Sequence, residues 1–213
     1  MTHFQRQVAS VSRWLHIYLS MVSFGILLFF AVTGITLNHP DWFFDESQSA
    51  VEHSGSVEMS WLGEMDEEGS RQKVNKLAIV EHLRSTHKIK GALKEFMADE
   101  FQCIVSFKGP GYSADAFIDA ETGAYSMEEM KLGFVPVIND LHKGRDTGKT
   151  WSWVIDLSAL LMVLVSVSGL VLILFIKRRR TAGLMFLVIG SIVSYLIYHF
   201  FVPQEPTKTA FST

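Results

Sequence analysis

Three apolar runs dominate the chain, at residues 14–38, 151–176 and 182–202, and each reaches the ~20 residues that a helix needs to cross a bilayer. The first and third contain no Lys, Arg, Asp or Glu. The second holds one carboxylate, Asp156, near its start, where an interfacial position suits a charge. The first run outlasts the ~7–15 apolar residues of a secretory signal and no A-x-A site follows it, which predicts an uncleaved anchor. Between the first and second runs the pattern changes from α to β. Residues 74–87 place Leu77, Val80, Glu81, Arg84 and His87 at helical spacing, and strands are predicted at 92–97, 101–107 and 114–119. The stretch Asp119-Ala-Glu-Thr-Gly123 predicts a tight turn into a last short strand at 124–126. At roughly 50–60 residues this α+β module sits near the lower limit of independent stability, so it is expected to lean on the membrane helices or on another copy of itself.

Composition adds a class: 48% hydrophobic and 19% charged residues, with a mean hydropathy of +0.22, describe a membrane protein with a sizeable soluble part. The lone Cys103 excludes an internal disulfide, a cysteine zinc site, an iron–sulfur cluster and a CxxCH heme attachment. A net charge of −3 gives no nucleic-acid footprint. Charge distribution supplies the expected topology. Arg6 and Arg13 precede the first run, and Lys177, Arg178, Arg179 and Arg180 fill the turn between the second and third, so these segments belong inside. The reading is a cytoplasmic amino terminus (1–13), span one (14–39), an external domain (40–141), an interfacial connector (142–150), span two (151–176), a cytoplasmic basic turn (177–181), span three (182–202) and an external tail (203–213). In a Gram-negative cell this is the inner membrane, with the domain and carboxyl terminus in the periplasm. Lys143, Arg145 and Lys149 run against the asymmetry. The external domain carries nineteen acidic against nine basic side chains, a net charge of −10.

Several segments carry a resemblance. A helix followed by strands ending in Asp119-Ala-Glu-Thr-Gly123 resembles a PepSY module. Trp14-Leu-His16 with Val32-Thr33-Gly34, and Leu141-His142-Lys-Gly144 with Val167-Ser168-Gly169 and the terminal Lys177 to Arg180, resemble the helices of PepSY-associated transmembrane proteins. The resemblance implies a mainly α membrane protein, with three transmembrane helices and a small periplasmic α+β PepSY-like domain between the first and second. Larger relatives include heme-containing reductases of ferric siderophores, and the short layout resembles VciB-type proteins that supply Fe(II) for uptake. Those larger proteins have at least four spans, so a single chain here would be half of a working bundle.

With cysteine excluded, the chemistry falls to histidine. His16, His39, His142 and His199 lie at span boundaries, and a b-type heme needs one or two neutral imidazoles in an apolar slot between helices. His39, His142 and His199 are expected at one depth, where two of them would hold one heme. His16 lies 23 residues before His39, about 34 Å at the helical rise, and cannot ligate the same iron. Its second axial ligand would be His16 of another protomer, Met185, or nothing. A homodimer would supply the first of these, and Gly25, Gly34, Gly190 and Ser194 would permit close helix contact. His3, His53, His82 and His87 are read as solvated. The expected protein is a heme b electron carrier that reduces ferric iron or a ferric chelate in the periplasm for a ferrous-iron transporter downstream. No G-x-G-x-x-G turn is present, so quinol or a separate donor supplies the electrons. The alternatives are a non-redox PepSY binding or regulatory protein and an accessory subunit of an iron transporter.

Overall fold

The computed structural model describes residues 3–43, 49–65, 71–176 and 178–203; Lys177 of the basic turn and residues 204–213 of the tail lie outside them. Helix α1 spans His3–Asn38, and Pro40–Phe43 forms a single turn, α2. The first helix thus extends ahead of the apolar run that begins at Trp14 and takes in Arg6 and Arg13, because nothing in residues 3–13 interrupts it. The chain divides into two compact units, one drawn from residues 25–159 and one from residues 1–24 with 160–213.

In the first unit a five-stranded antiparallel sheet has the order β1-β7-β6-β5-β4. Its members are β1 Ser49–Ser56, β4 Ala92–Ala98, β5 Gln102–Gly109, β6 Tyr112–Asp119 and β7 Ala124–Lys131. A two-stranded ribbon, β2 Glu64–Met65 with β3 Arg71–Gln72, precedes helix α3, Lys76–His87. Asn75 caps α3 by accepting the Ala78 N–H at 3.1 Å, which satisfies a donor that the first turn would leave orphaned. Helix α3 buries Ile79 and Leu83 in the same core as Val105, Phe107, Ala116, Ile118 and Met127. These are alternate positions of β5, β6 and β7, so the helix covers one face of the sheet. The predicted turn is closed by the Asp119 carboxylate, which accepts from the N–H groups of Glu121 and Thr122 and from the Thr122 hydroxyl. Those bonds, Thr122 foremost, hold the Asp119 carboxyl below its usual value.

Two elements of this unit differ from the sequence reading. Strand β1 pairs with β7 from Ser49↔Lys131 to Ser56↔Ala124, and β7 runs five residues beyond the predicted Ser126. Helix α4, Phe134–Lys143, is an element beyond the predicted ones and takes in His142. Pro136 is tolerated because it lies in the first turn, where its missing N–H costs nothing. The β5–β6 turn is fixed on α4 at Gly111: its φ of +63° suits glycine, a side chain there would collide with Val137, and its N–H donates to Asp140 at 2.9 Å.

The second unit contains the amino-terminal part of α1, the carboxyl-terminal part of α5 (Gly148–Phe175) and all of α6 (Arg180–Phe201). Helices α1, α5 and α6 are long and apolar enough to cross a membrane. Gly183 lets α6 pass against Ile173, where a Cβ would lie 2.6 Å from Cγ1. No residue of α6 is buried.

Candidate functional site

The buried polar side chains of the long helices point to two of the four boundary histidines. In the first unit, Thr33 is 1% exposed and its hydroxyl donates to the Phe29 carbonyl at 2.6 Å. The same hydroxyl lies 2.6 Å from His142 Nδ1. This contact anchors the Nδ1 side of the ring, so Nε2 is the nitrogen left for a ligand. Phe30 meets the same ring edge-on at 4.9 Å. One turn along α1, the Thr36 hydroxyl donates to Asn139 Oδ1 at 2.6 Å. Helix α4 is therefore tied to α1 at two successive turns, and Trp151 Nε1–H donates to the Leu141 carbonyl at 2.8 Å.

His16 has the same chemistry in the second unit. Its Nδ1 lies 3.2 Å from the Val165 carbonyl and 3.1 Å from Ser168 Oγ, while the Ser168 hydroxyl also approaches Val165 O at 2.8 Å. A carbonyl only accepts, so Nδ1 carries the hydrogen and Nε2 the lone pair. Gly169 makes room for the ring: a Cβ there would stand 3.0 Å from His16 Cε1. The two Val-hydroxyl-Gly motifs thus have a physical role: Thr33 holds the His142 ring, and Ser168 holds the His16 ring.

His39 and His199 are placed differently. His39 stacks on Trp42 with ring centroids 3.9 Å apart and 8° between planes, and its Nε2 is 3.1 Å from the neighbouring Asn38 amide. His199 is exposed and stacks on Tyr195 at 6.0 Å. Among the described residues neither has its Nδ1 anchored by another helix.

A heme requires an imidazole whose far nitrogen is free and whose near nitrogen is fixed by a hydrogen bond. His16 and His142 fit that requirement. Phe29, Phe30, Trp151 and Ile155 line an apolar slot of about 220 Å³; His142 is not part of its lining and reaches it only through the Phe30 ring. Thr33, Ser168 and Gly169 shape the surroundings of the two rings, although none of them is itself a ligand type. The signal for them was a hydroxyl next to glycine inside an otherwise apolar span.

Three of the four histidines read as solvated, His53, His82 and His87, instead form an aromatic cluster beside the sheet. His53 Nε2 lies 3.3 Å from Glu129 Oε2, His87 Nε2 is 2.8 Å from the Tyr125 hydroxyl, and the His53 and His87 rings are 4.5 Å apart. His82 packs against Trp61 and Tyr125. Burial lowers the His87 pKa, helped by the positive charge that His53 and His82 can carry. Burial works against the Glu129 carboxylate, but hydrogen bonds from Lys131, His53 and Tyr112 hold its pKa below the usual value. Tyr112, by burial and its bond to Glu129, is pushed up to about 12. Among the described residues no three His, Cys, Asp or Glu side chains are arranged to hold a metal ion.

No curated protein and no solved structure matches the chain. The profile of one family does, over residues 10–203, which takes in both anchored histidines, both hydroxyl-glycine motifs and the sheet; the chain belongs to the PepSY_TM-like family.

Proposed function

We propose that the protein is an inner-membrane electron carrier that holds heme b and reduces ferric iron, free or chelated, in the periplasm, supplying Fe(II) to a transporter. The observation that carries this reading is the shared state of His16 and His142, each with Nδ1 anchored on another helix and Nε2 open. These two are the preferred axial ligands, with His39 and His199 as the remaining candidates. A b-type heme bound there supplies a one-electron couple, and ferric iron takes up that electron to become ferrous. The chain's own part is to hold and aim each imidazole, through Thr33 and Ser168, and to exclude water with apolar side chains. Quinol or a separate protein donates the electrons. The apolar slot lined by Phe29, Phe30 and Trp151 is smaller than the ~300–1,000 Å³ of a complete small-molecule site, which favours a homodimer in which a second copy supplies the rest of a heme pocket. The basic flanks favour a cytoplasmic amino terminus and a periplasmic sheet domain, and the three-span layout resembles VciB-type proteins.

The test is the optical spectrum of the purified protein. A Soret band, α and β bands that sharpen on dithionite, and pigment extractable into acid acetone are expected. His142→Ala and His16→Ala should each remove heme and Fe(III) reduction, whereas His53→Ala should leave both near wild type. Colourless protein from cells with ample heme would sink the reading and favour the non-redox binding module.

A further inference from the structure

The sheet domain is acidic, yet it forms one side of a basic cleft. Lys108 from the end of β5, Lys143 from the last turn of α4 and Arg145 just after it line a cleft of about 470 Å³ together with Tyr112, Thr36 and Asn139. That volume lies within the ~300–1,000 Å³ of small-molecule sites. Of the two carboxylates at its wall, Asp146 pairs with Lys94 at 2.7 Å, while Asp140 accepts the Gly111 N–H and keeps its negative charge. Among the described residues Lys108, Lys143 and Arg145 have no ion-pair partner. The helix dipole accounts for one cation at the end of α4. It does not account for Lys108, which comes from the opposite wall. Lys143 and Arg145 are also two of the basic residues that run against the charge asymmetry of the spans, so topology does not call for them.

The cleft is also close to the histidine. Thr36 and Asn139, which line it, form the hydrogen bond one turn beyond the Thr33–His142 bond, and one turn of α1 is about 5.4 Å of rise. We infer that this cleft binds a soluble multivalent oxyanion, and, resting on the reductase reading, that ferric iron is delivered to it as an anionic hydroxycarboxylate complex rather than as the free cation. Three cations against the one carboxylate without an ion-pair partner, Asp140, leave the cleft net positive, which disfavours a bare metal ion. They attract a trivalent ion wrapped in deprotonated carboxylates, whose net charge is negative, and Arg145 offers paired donors to a carboxylate. A heme held by His142 would supply the electron, and the chelated ferric ion would take it up to become ferrous with no bond in the protein changing.

The probe is gallium(III) citrate, a redox-inert counterpart of the ferric complex, titrated calorimetrically into full-length protein in phosphatidylcholine nanodiscs. Saturable binding is expected, and a gallium trihydroxamate complex made cationic by a pendant ammonium group should not bind. Replacing Lys108, Lys143 and Arg145 by Glu should weaken binding at least tenfold, and Lys149→Glu should leave it unchanged. Equal binding of the anionic and cationic complexes by the wild type overturns the inference without recourse to any variant. So does a site filled by lipid: loss of gallium citrate binding in phosphatidylglycerol nanodiscs, with that lipid co-purifying with wild type but not with the triple variant, would assign the cleft to a headgroup. Gallium citrate binding by a protein that holds no heme would keep the cleft and sink the reductase. A heme protein reoxidised equally fast by anionic and cationic ferric complexes would keep the reductase and sink the cleft.

Discussion

Thr33 and Ser168 show how much of a histidine's behaviour is set by its neighbour. A hydroxyl placed against one ring nitrogen anchors that side of the imidazole and leaves the other nitrogen for a ligand. Thr33→Val should therefore lower heme occupancy, with apparent affinity down roughly 10–100-fold as for other residues that orient ligands. Thr33→Ser should restore it, and heme titration into apoprotein distinguishes the two. Gly169→Ala brings a methyl to within 3.0 Å of the His16 ring and is expected to broaden or shift the heme signal while leaving the sheet domain's melting unchanged. At this scale the sequence displayed the candidates but not their ranking. Four boundary histidines look alike in a hydropathy profile. What separates His16 and His142 from His39 and His199 is a partner 152 and 109 residues away along the chain, respectively, which one-dimensional spacing does not reveal.

Among the elements, α3 and strands β4 to β6 were legible because each carries its own period and is bounded by its own turn. Strand β1 was not. Ser-Ala-Val-Glu-His-Ser-Gly-Ser lacks the regular apolar alternation of a half-buried strand, as suits an edge, and its partner lies some 70 residues later. Helix α4 was legible in principle, since Phe134, Val137, Ile138 and Leu141 share helical spacing; Pro136 obscured it. The β1–β7–α3 junction carries a pH dependence. Burial makes the charged form of His87 unfavourable, so its folded pKa lies below the unfolded 6.5, and the unfolded chain binds the proton first as pH drops. The stability attached to the neutral ring is intact above pH 6.5 and is lost as pH falls through the folded value. Glu129, with its lowered pKa, acts in the same direction at lower pH. Thermal melts of the full chain should show the sheet domain losing stability from about pH 6.5 downward, and His87→Gln should flatten the first part of that slope. A melt independent of pH between 7.5 and 5 would contradict the assignment.

For the whole molecule, class was the easiest feature to read and assembly the hardest. Three apolar runs and an α+β segment are properties of the linear sequence, whereas a second copy leaves no periodic mark. The exposed α6, with no buried residue in the single chain, must meet lipid or protein along its whole length. The dimer reading expects mass measurement in mild detergent to give twice the chain mass, and a bulky residue at Gly190 or Ser194 to weaken the association and lower heme content together. A heme-replete monomer with full activity would dispose of it.

The pairing of Ser49 with Lys131 has a further consequence. Strands joined in a ladder lie ~4.8 Å apart, and this pair is the first residue of the sheet and its last. The chain therefore enters and leaves the sheet domain at almost the same point, which makes the domain an insertion that a short bridge can replace. Joining residue 48 to residue 132 through a few Gly and Ser residues would delete Lys108 and the sheet while keeping His16, Thr33, His142 and Ser168. Such a miniature should still take up heme but lose its preference among iron complexes, which would divide the protein into a pigment-holding stem and a removable head that chooses the cargo.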